Sequence, residues 1–201
     1  MDIFVLAMLI AIGTYSLKSK DERRRITLLG SHLGNYQIEK LMETLSEGYL
    51  RALAENDPVR RAQIWQLLES TELKLCDQFN RFAAEFSRVP EPQARVSKLP
   101  VSLPFADKLL PGATFDLRTL LNIHAQGITQ AVQNSLGRSS KSKAFALSAE
   151  LFLMQHSCHW FCKSKTVASA RVLMRHQTSY EQVLASVAPE TRQAYGDLVG
   201  A

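Results

Sequence analysis

The chain has 201 residues, 46% hydrophobic and 21% charged, with 24 Lys+Arg against 19 Asp+Glu and a formal charge of +5. These proportions lie near globular averages and exclude a disordered chain, a collagen-like scaffold and a polytopic membrane protein. Three cysteines are an odd number and too few for a disulfide framework.

The averages conceal a concentrated start. Residues Ile3 to Ile12 are ten consecutive apolar residues, and the mainly apolar stretch runs on to Leu17. Lys18, Lys20, Arg23, Arg24 and Arg25 follow, diluted by Asp21 and Glu22. A secretory signal puts positive charge before its apolar core; here the order is reversed. It is the order of a single-pass anchor whose N-terminus crosses the membrane and whose basic flank stays on the cytoplasmic side, as at a bacterial inner membrane. Seventeen helical residues give roughly 25 Å against a hydrocarbon core of roughly 30 Å, a mismatch that thinning and snorkelling of Lys18 and Lys20 absorb. The competing expectation is a helix packed in the protein's own core. Against it, no polar residue interrupts positions 3 to 12 to give a water-facing side.

Beyond the flank, Gly30 and Gly34 read as a break or turn. Ile38, Leu41, Met42, Leu45, Tyr49 and Leu53 recur at three- and four-residue steps, the stripe of an amphipathic helix. Asn56-Asp57-Pro58 supplies a stop, an N-cap and a proline for the next helix. That helix carries its stripe through Ile64, Leu68, Leu75, Phe79, Phe82 and Phe86, and the short joint predicts an antiparallel hairpin.

Five of the seven prolines fall in residues 89–112, which therefore read as an extended strap lying on the helices, with a helical turn over Phe105 to Leu110. Pro111-Gly112 marks a turn, and Thr114 with Asp116 a helix start. Leu117, Leu120, Leu121, His124, Ile128 and Val132 share the following helix's apolar face. Residues 137–143 form a polar, basic loop, and Ala144 to Cys162 are apolar nearly all round, as at the centre of a bundle. Thr178 and Glu181 have capping-box spacing for a short helix to Val187, and Pro189 opens a last helix ending near Gly196. No alternating strand run and no repeat is visible, so the fold class is all-α. The segments are 1–17, the anchor; 18–88, the basic flank and helical hairpin; 89–112, the strap; and 113–201, a C-terminal helical bundle.

Positive charge gathers in two places. Residues 18–25 carry net +3; residues 138–178 hold seven basic residues against Glu150 alone, net +6. Arg138, Lys141, Lys143, Lys163 and Lys165 of the second group read either as a solvated face or, with Lys18, Lys20, Arg23, Arg24 and Arg25, as contacts to anionic lipid headgroups. Nucleic acid is not expected as a partner, because no recognised binding motif accompanies the charge.

One compact group of reactive side chains remains, His156, Cys158, His159 and Cys162. Cys158 and Cys162 lie one helical turn apart, a spacing that suits two zinc ligands or a reactive thiol pair. Alternatively both are small buried apolar residues. No nucleotide-binding, hydrolase or metalloprotease motif is present. The sequence therefore predicts a membrane-anchored, non-enzymatic interaction protein without a cofactor, which meets lipid through residues 1–17 and binds an unidentified protein partner. The alternative is redox sensing or catalysis at His156 to Cys162.

Overall fold

A computed structural model describes residues 3–100 and 110–200 of the chain. The fold is all-α among these residues, with nine helices and one small sheet. The first helix, α1, spans Ile3–Leu33 without interruption. At about 1.5 Å per residue it is about 46 Å long, so it carries on well past the apolar segment. Gly30 lies inside it, and only Gly34 falls in the turn that follows. The break expected at Gly30 is absent because Leu28, Leu29 and Leu33 hold this end of the helix against the core.

α2 (Ile38–Ala54) and α3 (Pro58–Phe86) form the expected hairpin, and the Asp57 carboxylate caps α3 by accepting from the Val59 and Arg60 amides. α3 buries Leu75, Phe79, Phe82 and Phe86 completely. The strap is less extended than its prolines imply. Glu91–Ala94 is a single turn, α4, with Pro92 tolerated because the first turn of a helix needs no amide donor. Arg95–Ser97, β1, then pairs antiparallel with Thr114–Asp116, β2, setting Val96 opposite Phe115. Strands of three residues, buried on both faces, leave no alternating pattern to read. The turn expected over 105–110 lies outside the described residues, Leu110 excepted.

Asp116 caps α5 (Leu117–Gln133), while Thr114 belongs to β2 and not to the helix start. Asn134, in the left-handed conformation, ends α5. The central helix α6 (Ser140–Cys162) is followed by α7 (Lys165–His176), α8 (Tyr180–Ser186) and α9 (Pro189–Val199). The capping box of α8 is Ser179 with Gln182, one residue beyond the expected Thr178 and Glu181. α9 continues past Gly196 to Val199, because Gly200 supplies the left-handed terminator. One hydrophobic core runs through the hairpin, the two strands and the C-terminal helices.

α1 divides into two halves. Residues 3–17 are exposed throughout, and no part of the apolar window is covered by the domain. The alternative of a helix packed into the protein's own core is therefore excluded. From Lys18 onward the same helix joins the domain. Arg25 donates to Asp21 and to the Arg95 and Phe161 carbonyls, and its guanidinium lies over the Phe161 ring. His32 and Tyr36 both bond Glu85 of α3.

Candidate functional site

By length and composition, α1 is long and apolar enough at its N-terminal end to cross a membrane. Among the basic residues beside it, Lys20, Arg23 and Arg24 are exposed and Lys18 is partly so. Arg25 is largely covered and serves as the clamp between helix and domain. Lys163, from the far end of α6, pairs with Glu22 at 2.6 Å, and Lys165 lies over the Trp160 and Tyr180 rings. Arg138, Lys141 and Lys143 stand at the opposite end of α6, about 30 Å away along a helix of 23 residues. The segment that looks like one basic patch in sequence is thus two separate groups. Lys143 is also engaged: its ammonium reaches the buried Glu72 carboxylate at 2.5 Å, while Tyr49 donates to the other oxygen at 2.7 Å.

The four side chains read as possible metal ligands do not converge. Among the described residues, no group of three or more His, Cys, Asp or Glu is placed to hold a metal ion. His156 is fully buried, bonded through Nε2 to Ser169 and stacked on Tyr180. His159 accepts from Arg171. The Cys158 thiol lies 3.8 Å from the Met154 sulfur. Burial raises the Cys158 pKa well above the usual thiol range and that of Cys162 to about 11, which opposes thiolate chemistry. Burial likewise lowers His156 to about 3 and His159 to about 4, with Lys165 acting further on the first and Arg171 on the second.

His124 and Ser157 share a 2.8 Å bond, and Ser157 donates to the Leu153 carbonyl. Both are fully buried, and burial holds His124 at a pKa of about 3, so the pair joins α5 to α6 as a neutral polar contact. Glu150, also on α6, accepts from the Ala188 amide, and burial raises its pKa.

An open concavity lies between α2, α6 and α7 and encloses about 540 Å³. Met42, Tyr49, Ala144 and Phe152 form its apolar floor. At its edges Leu50 is 69% exposed, Leu53 50% and Phe145 66%. One lip, from α2, carries Glu39, Glu43 and Glu47; the facing lip carries Lys141 and Arg175. Leu53 and Phe145 read as core residues by spacing, because periodicity reports where a helix is apolar and not what covers it. An apolar position near the end of a helix flanked by charge is the signal that marks them.

Comparison with protein-family models, with curated proteins and with solved structures finds no match.

Proposed function

We propose that the chain is a single-pass membrane-anchored interaction protein. α1 crosses the bilayer with its N-terminus outside, and the helical domain sits at the cytoplasmic face and binds another protein. The observation that carries this reading is the uncovered apolar half of α1, continuous with a helix that is bolted into the domain core. Lys18, Lys20, Arg23 and Arg24 meet the headgroups at the exit of the span, where each basic side chain contributes about 1 kcal/mol near an anionic surface. The buried His124 and His156 and the half-buried Cys158 and Cys162 pack between the helices of the domain.

Cysteine labelling tests the orientation. Ser139→Cys, at an exposed helix cap, is expected to resist a membrane-impermeant maleimide in intact cells and to react after permeabilisation. Labelling in intact cells would place the domain outside and overturn the proposed topology.

A further inference from the structure

α6 is apolar nearly all round, so each of its sides calls for a neighbour. α1, α2, α5, α7 and α8 all pack against it. One face is left open. Phe145, Ser148, Phe152 and Gln155 follow one another at three- and four-residue steps along it, and they line the concavity between α2 and α7. The vacancy has the shape of a missing helix.

α2 borders this concavity from Glu39 to Leu53, about 21 Å at about 1.5 Å per residue. Glu39, Glu43 and Glu47 repeat at four-residue steps along that border and are exposed. None of the three has an ion-pair partner among the described residues. Positive charge at the concavity is sparser. Lys141 stands in the first turn of α6, and Arg175 lies towards the other end, where its neighbour His176 bonds Gln155.

The walls are helices, whose backbone donors and acceptors are spent within them. An extended peptide therefore finds no strand edge to pair with, and an occupant of this length has to satisfy its own backbone, as a helix does. The row of three glutamates disfavours an anionic lipid surface. It is complementary to a row of cations with the same four-residue repeat.

We infer that the groove between α2, α6 and α7 receives an amphipathic helix of a partner protein, about four turns long. Its apolar stripe covers the floor, and its edge along α2 carries Lys or Arg at four-residue steps. The other edge, which passes Lys141 and Arg175, is free of basic residues. The inference rests on the reading of the domain as a protein-binding module and names the chemistry of what it binds.

The test uses two synthetic helices of about 18 residues. They share a leucine stripe and one glutamine edge; the second edge is lysine in one and glutamate in the other. Fluorescence anisotropy measures their binding to the full chain in phosphatidylcholine nanodiscs, with empty discs as the blank. The lysine-edged helix is expected to bind at least about tenfold more tightly than the glutamate-edged one. Glu43→Lys with Glu47→Lys is expected to reverse that preference. Phe145→Asp on the floor and Leu53→Asp on the α2 side are each expected to weaken both helices, and thermal melting checks that these exposed substitutions leave the fold intact. A lysine-edged helix that binds no better than one with its stripe scrambled, a preference that survives the reversal, or binding indifferent to both aspartates would overturn the inference. So would a native dimer, read by light scattering, that Phe145→Asp dissociates, since a second copy would then fill the groove. Carbonate extraction reads the anchor separately: a chain that stays in the membrane but ignores the lysine-edged helix refutes the groove and leaves the anchor standing.

Discussion

Lys163 and Glu22 are 141 positions apart in the sequence, and their side chains meet at 2.6 Å. The contact places the C-terminal end of α6 beside α1 just where that helix leaves its apolar segment, one turn from the Arg25 clamp. Because Arg25 donates to the Arg95 and Phe161 carbonyls on two other elements, its removal takes a donor from both. Arg25→Ala is expected to cost about 1–3 kcal/mol. Arg25→Lys is expected to recover little, since an ammonium lacks the planar fork. Urea unfolding of the full chain in detergent measures both, and an unchanged midpoint for Arg25→Ala would contradict the clamp.

Glu72, Tyr49 and Lys143 tie α2, α3 and α6 together behind the groove floor. Lys143→Met strands a buried carboxylate, and a loss of about 3–5 kcal/mol is expected. Adding Glu72→Gln should return most of it, because the stranded charge is gone. If the single variant unfolds at the native midpoint, Lys143 is solvated and the triad is not structural.

The buried histidines set a pH dependence. His124 and His156 are held near 3 in the folded chain, whereas an unfolded histidine titrates near 6.5. The unfolded state therefore takes up protons first as the pH falls. Stability is whole above about 6.5 and is lost on the way down towards 3, at up to about 1.4 kcal/mol per pH unit for each histidine. Glu150, raised by burial, acts in the opposite sense, its share being lost as the pH rises through its folded value. Unfolding midpoints between about pH 6.5 and 5 should fall with pH. The slope should flatten in His124→Gln and His156→Gln. A slope untouched by both substitutions would contradict this assignment.

Thiol reactivity separates a packing role from a chemical one. Cys158 and Cys162 are expected to react with an aromatic disulfide reagent at mildly alkaline pH far more slowly in the folded chain than in urea, by a factor of about a hundred or more for Cys158. Mass-mapped labelling reads each site. Rapid modification of Cys158 in the folded chain would reinstate a reactive-thiol role.

Most of the helices were legible from residue spacing. The stripes of α2, α3 and α5 and the Asp57-Pro58 start predict those elements closely, because each buries one face and exposes the other. What stayed hidden depends on contacts distant in sequence. β1 and β2 are too short to alternate, so only their pairing across the strap defines them. Arg138, Lys141 and Lys143 look continuous with Lys163 and Lys165 until a 23-residue helix separates the two groups. The groove was equally hidden. The apolar character of Leu53 and Phe145 is plain in the sequence, but their lack of cover follows from the concavity that α2, α6 and α7 leave open between them.

Extraction of membranes with alkaline carbonate addresses the anchor itself. The full chain is expected to remain in the membrane pellet. A variant carrying Leu6→Glu and Ile10→Glu, which places two charges in the uncovered segment, is expected to move to the soluble fraction with its helical content and melting curve retained. Release of the unaltered chain by carbonate, or retention of the doubly charged variant, would contradict a membrane-spanning α1.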